Sequence, residues 1–204
     1  MIALVDYKAG NLTSVRKALS ALGAAFFTPE SASELESVDG VIVPGVGHFS
    51  STANLDASWR GAIESRVRAG VPLLGICVGM QWLFEGSEES PDCPGLGVLP
   101  GRCTRLVGNP AEGIKVPHVG WNALVPPAGA PSKLLKGIAD GSQVYFTHSY
   151  AGPVTNDCVA ATTHGTETFS AAVERGRIYG VQFHPEKSSA AGLRILTNFL
   201  EVCR

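Results

Sequence analysis

The stretch that most limits the fold is Gly75-Ile76-Cys77-Val78-Gly79. It lies between the apolar run Pro72-Leu73-Leu74 and a helical apolar pattern of Met80, Trp82, Leu83 and Phe84. Glycine weakens a strand and a helix alike. A pair of them bracketing one cysteine marks a tight turn where a buried strand runs into a helix and the two backbones approach closely. A chain built on such a turn needs a sheet with helices against it.

The flanking sequence supplies them. Residues 2 to 6, "IALVD", read as a short buried strand. "NLTSVRKALSALG" reads as a helix, with Asn11 as its N-cap, Leu12, Val15, Leu19 and Leu22 on one face and Gly23 as its stop. Residues 24 to 28 suggest a second strand, and "DGVIVPG" at 39 to 45 a third. A helix over 59 to 69 then leads to a strand at 71 to 76. Strands alternating with helices imply parallel βαβ units. Residues 87 to 142 are rich in Pro and Gly, with strand-like pieces at 102 to 107 and 121 to 125, and read as an excursion at one end or edge of the sheet. "QVYFTHSY", "CVAATT", "FSAAVERG" and "RIYGVQF" read as successive β segments, and "AAGLRILTNFLEVC" as a closing amphipathic helix. The expected class is α/β, an open, mostly parallel sheet flanked by helices, in a single domain over residues 1 to 204.

Several function classes drop out. A formal net charge of −2 and the lack of a long basic run give no general attraction to nucleic acid or anionic lipid. The N-terminus has no basic n-region, and Asp6 and Lys8 interrupt its apolar run, so no signal peptide is expected. No apolar stretch approaches the roughly 20 residues that span a bilayer. Cys77, Cys93, Cys103, Cys158 and Cys203 are odd in number, irregularly spaced and without a CxxC, which argues against a disulfide framework or a structural zinc site. A cytoplasmic protein is expected.

The turn at Cys77 has the form of a nucleophile elbow, which holds a reactive side chain up in a strained backbone position between strand and helix. The N–H of Val78 is then available to a developing oxyanion. The plain alternative is a buried cysteine at a Gly-rich turn. A thiol of ordinary pKa, about 8.5, needs a base to work at neutral pH. Of the five histidines, His184 follows a β run in "YGVQFHPEKSS", with Glu186 two residues on to fix its tautomer. In "VPGVGHF" the N–H groups around Gly45, Val46 and Gly47 follow another strand and complete an oxyanion site with Val78. The segment is no dinucleotide fingerprint, because GxGxxG is absent.

Together the three pieces, Pro44-Gly45-Val46-Gly47, Gly75-Ile76-Cys77-Val78-Gly79 and His184-Pro185-Glu186, resemble class I, triad-type glutamine amidotransferases along nearly the whole chain. That family is flavodoxin-like. Within it, "PGVGHF", "MQWLFEGSEE", "PHVGWN", "YFTHSY" and "FHPEKSS" are most similar to the glutaminase subunits of imidazole glycerol phosphate synthases of histidine biosynthesis. Val78 replaces the usual leucine, at a position where only the backbone is needed. The resemblance implies that Cys77 attacks the glutamine side-chain amide, that His184 moves the protons and that Glu186 orients His184. It places Gln81, Glu89, Ser149 and Tyr150 in the glutamine pocket, and Asn11, Trp121, Tyr145 and Lys187 at or near an interface. It implies no cofactor and no metal.

Ammonia is mostly protonated in water and must be handed over before it equilibrates. The chain carries no evident synthase domain, so the acceptor chemistry is expected in a separate (β/α)8-barrel cyclase, forming a heterodimer. Three alternatives remain at this point. One is the glutaminase of another amidotransferase complex, such as pyridoxal phosphate synthase, against which "PHVGWN" argues. Another is a non-catalytic binding subunit, which would lack a triad member. The last is a Cys-dependent peptidase or γ-glutamyl hydrolase.

Overall fold

The computed structural model describes residues 1–9, 12–127 and 131–204. Asn11, expected as a helix N-cap and an interface residue, lies outside the described residues. The first half of the chain winds β1 (Ile2–Leu4), α1 (Leu12–Ala21), β2 (Phe26–Phe27), β3 (Gly40–Gly45), α2 (Ala57–Arg68), β4 (Leu73–Cys77) and α3 (Val78–Leu83). The excursion holds β5 (Gly86–Ser87), β6 (Ser90–Pro94), β7 (Arg102–Arg105) and β8 (His118–Ala123). The rest holds β9 (Gln143–His148), β10 (Tyr150–Ala151), β11 (Cys158–His164), β12 (Glu167–Arg175), β13 (Ile178–Val181) and α4 (Ser189–Val202).

A 7-stranded sheet runs β11-β12-β13-β4-β3-β1-β2. From β13 through β4, β3 and β1 to β2 all neighbours are parallel, and β11–β12–β13 close the other side antiparallel. The central strands are buried along their whole length, as parallel strands covered on both faces must be. α1 turns Leu12, Val15, Ala18 and Leu19 inward. α2 starts at 57, earlier than the pattern predicts, because the Asp56 carboxylate accepts from the N–H groups of Ser58 (2.8 Å) and Trp59 (3.2 Å). The second strand is cut to Phe26–Phe27.

The excursion is more ordered than its composition suggests. β5, β6, β7 and β10 form a second sheet, and β8 and β9 form a separate antiparallel ribbon. "QVYFTHSY" is therefore two strands in two sheets, broken at Ser149. α3 is short because Phe84 leaves the helix with extended backbone (ψ 179°). Gly79 sets its position: a Cβ there would lie 1.8 Å from the Val43 carbonyl oxygen, so only a glycine lets α3 seat against β3.

Candidate active site

Cys77 sits at the junction of β4 and α3 with φ 55° and ψ −110°, a conformation costly for a side chain to hold. It is almost wholly buried. β3 lies on one side, with Gly45 in register with Cys77, and β13 on the other, with Val181 in register with Ile76. The chain beyond β3 carries Val46 and Gly47. The chain beyond β13 carries His184, whose backbone N–H is tied to the Tyr145 carbonyl at 2.9 Å. Three adjacent strand ends thus bring together the nucleophile, the oxyanion segment and the imidazole that the sequence suggested.

His184 Nδ1 lies 2.8 Å from Glu186 Oε1, and both side chains are buried. A carboxylate only accepts, so Nδ1 carries the proton and donates. Nε2 is the atom left for Cys77. Burial alone would lower the imidazole's pKa. The nearness of Cys77 and the hydrogen bond to Glu186 more than offset that and hold it up at about 9. Nε2 is buried with no partner at full hydrogen-bond geometry. Cys77 therefore acts on it as a near neighbour rather than through a formed bond, the loose arrangement common before substrate arrives. Tyr7, just after β1, is also buried against this group with its hydroxyl unpartnered. Burial first, then the charge of Cys77, pushes the phenol's pKa far up, so it stays protonated.

A cavity of about 260 Å³ opens over the sulfur, small enough for a metabolite. Val46, Gly47, Cys77 and Val78 line it together with Gln81, Glu89, Ser149 and Tyr150, so every residue expected to bind substrate reaches it. Gly47 has φ +109° and no atom within 4 Å of a built Cβ, so the backbone conformation and not the space around it is what favours glycine there. Glu89 is fixed by accepting from the Phe49 N–H at 2.7 Å. Gln81 Nε2 donates to the Tyr150 carbonyl at 2.8 Å. Among the described residues no group of three or more His, Cys, Asp or Glu side chains is placed to hold a metal ion.

Trp121 and Tyr145 are not core residues. Trp121 is 52% exposed and meets the half-buried Tyr145 edge to face, ring centroids 6.0 Å apart, while Lys187 Nζ lies 6.0 Å from the Tyr145 ring centre. This cluster adjoins the segment that carries His184. Sequence reasoning missed Gln182, fully buried with Nε2 3.7 Å from Cys77 Sγ, and the buried His118–His148 pair. The signal for Gln182 was available as one amide inside an otherwise apolar β run.

Comparison with known proteins gives the family and the fold. The chain matches the glutamine amidotransferase class-I family over residues 3–203. It is 47% identical to the imidazole glycerol phosphate synthase subunit HisH of Moorella thermoacetica, over 100% of this chain and 95% of that protein. It is 49% identical to the protein of that name from Xylella fastidiosa strain Temecula1, over 98% and 97%. Among solved structures, one described as a glutamine amidotransferase superposes with a TM-score of 0.74 at 22% identity, covering 100% of this chain and 99% of the other. A chain of PurLQS from Thermotoga maritima superposes at 0.69 with 16% identity, covering 100% and 98%.

Proposed function

The chain belongs to the class I glutamine amidotransferases, and from that premise we propose that it is the glutaminase subunit of imidazole glycerol phosphate synthase, with Cys77, His184 and Glu186 as its triad. One observation carries the site assignment. A strained cysteine on the β4–α3 turn lines a small cavity, and the buried His184–Glu186 pair beyond the neighbouring β13 lies close enough to that cysteine for it to shift the imidazole's pKa. The whole chain acts as one glutaminase domain.

Cys77 Sγ attacks the side-chain amide carbon of glutamine. The carbonyl oxygen becomes an oxyanion, stabilised by the N–H of Val78 and the peptide at Val46–Gly47. The protonated His184 gives its Nε2 proton to the departing nitrogen, and ammonia leaves a thioester on Cys77. His184 then takes a proton from water, which attacks the thioester and releases glutamate. Glu186 keeps Nδ1 protonated throughout, so that Nε2 faces the reaction. Gln81, Glu89, Ser149 and Tyr150 hold the amino-acid end, with Glu89 suited to the α-ammonium.

The ammonia passes to a separate (β/α)8-barrel cyclase in a heterodimer, docked where Trp121, Tyr145 and Lys187 cluster. Five unpaired cysteines support a reducing compartment, the cytoplasm. Docking and the cyclase's ligand turn the Val46–Gly47 peptide into its donating orientation. One oxyanion donor is worth about 3 to 4 kcal/mol, enough for a hundredfold gate.

The test is Cys77→Ala in the complex. Synthesis driven by glutamine is lost, while synthesis driven by added ammonium salts survives. Full glutaminase activity in Cys77→Ala sinks the reading. Glutamine hydrolysis by the chain alone, with cyclase, and with cyclase plus its nucleotide ligand tests the gate separately, and equal turnover in all three removes it.

A further inference from the structure

Gln182 ends a run of hydrogen bonds whose direction is fixed atom by atom. The run begins at the Tyr150 carbonyl, which can only accept. His148 Nδ1 lies 2.9 Å from it and so carries its ring's proton, leaving Nε2 to accept from His118 Nδ1 at 3.0 Å. His118 Nε2 then accepts from Asn122 Nδ2 at 3.3 Å. The same Tyr150 carbonyl accepts from Gln81 Nε2 at 2.8 Å, which settles which end of the Gln81 amide is nitrogen. The second proton on that nitrogen goes to Gln182 Oε1 at 3.2 Å. Gln182 therefore turns Nε2 towards Cys77, 3.7 Å from Sγ. Flipping Gln182 would set nitrogen against nitrogen at Gln81 and oxygen against sulfur at Cys77.

The two histidines keep these tautomers because they stay neutral. Desolvation takes His118 down to about 4 and His148 to about 3, aided by the nearness of the other imidazoles. Gln182 itself is wholly buried, so no water competes for its amide.

We propose that Gln182 is a positioning residue for the nucleophile, its Nε2–H donating to Cys77 Sγ and holding the sulfur, and its negative charge, at the floor of the cavity. The proposal rests on the reading of Cys77 as the nucleophile. The other titratable groups around this sulfur are His184, backed by Glu186, the protonated Tyr7, and Glu89 and the neutral His148 of the same cavity. An amide does not titrate, so Gln182 donates to the thiolate whatever the protonation of the imidazole. A donor to charged sulfur is worth more than one to a neutral thiol.

Iodoacetamide alkylation of the chain alone, with the Cys77 peptide quantified by mass spectrometry, tests this without invoking glutamine. In Gln182→Met, capture of Cys77 at about pH 7 slows about tenfold, and the difference vanishes at about pH 10, where thiols are ionised with or without help. In the complex, turnover falls in Gln182→Met while the KM for glutamine holds. Equal capture rates at neutral pH overturn the proposal, and so does a loss of the same size at both pH values, which marks packing alone. If Gln182→Met does not fold, Gln182→Asn withdraws the amide from the sulfur and carries the same two outcomes. A wild-type Cys77 no more reactive than Cys93 sinks the nucleophile reading and this proposal with it. A reactive Cys77 indifferent to Gln182 sinks the proposal alone.

Discussion

Gly79→Ala and Gly61→Ala are the same chemical change in two helices, with opposite expected signs. Gly61 lies within α2, and a Cβ there meets nothing within 4 Å. Alanine at such a site gains about 0.5–1 kcal/mol. At Gly79 the new Cβ lies 1.8 Å from the Val43 carbonyl oxygen and 2.8 Å from its carbon. About 1.2 Å must open before the contact is tolerable. Val43 cannot yield, being buried mid-strand in β3 between β1 and β4. α3 must retreat instead, and it carries the fully buried Met80, Trp82 and Leu83. A gap of roughly 0.5–1 Å already forfeits a quarter to a half of each dispersion contact. Overpacking of this kind costs about 1–3 kcal/mol, and backbone against backbone belongs at the upper end. The two variants should therefore differ by about 4 kcal/mol, or roughly 10 °C in melting temperature for a chain of this size. Calorimetry reads the difference directly. Retreat of α3 also carries the Val78 N–H away from the oxyanion, so glutamine hydrolysis by Gly79→Ala falls on the order of a hundredfold. A Gly79→Ala protein that melts with the wild type and keeps its activity refutes the close-approach argument.

Glu186→Gln removes one of the two groups that raise His184. A raised histidine stabilises the fold fully below about pH 6.5 and loses that contribution as pH climbs through about 9. The stability gap between wild type and variant, from denaturant titrations, is therefore widest below about pH 6.5 and closes above about pH 9; a gap constant with pH contradicts it. His118 and His148 act in the opposite sense. They are held neutral in the fold, so stability falls as pH drops from about 6.5 towards about 4, and their ring signals in NMR stay those of neutral imidazole to about pH 5. Gly47→Ala meets no atom but must hold φ +109°. It is expected to fold with a loss of about 1–3 kcal/mol and to lower glutaminase turnover; unchanged melting and unchanged turnover together refute the backbone argument.

The sequence carried the parallel half of the fold plainly, because βαβ units repeat a simple alternation and their central strands are continuous apolar runs. The proposed triad was legible for a different reason. Cys77 between two glycines and His184 before a proline each break the local pattern, and such breaks are costly without a use. Tertiary choices were hidden. Nothing in "QVYFTHSY" says that Ser149 is where the chain leaves one sheet for another, because both halves have strand-like composition. The Asp56 cap was readable in principle, but the weak amphipathicity of α2 leaves the first turn of that helix without an apolar stripe to mark it. The direction of the Gln182 amide depends on Gln81 and the Tyr150 carbonyl, groups distant in sequence, and no local pattern reports it.

Because the three pieces proposed to react ride on the ends of β3, β4 and β13, the spacing between them is the spacing of hydrogen-bonded strands, about 4.8 Å. The sheet works as a ruler. Residues can be added to or removed from the connection between β7 and β8 without changing its marks, since that stretch lies outside the main sheet. A single residue inserted within β4 is another matter. It would carry Cys77 past its pairing with Gly45 and turn its side chain to the opposite face. Length variation among working versions of this chain is therefore expected to crowd into the excursion and to stop abruptly at the strands.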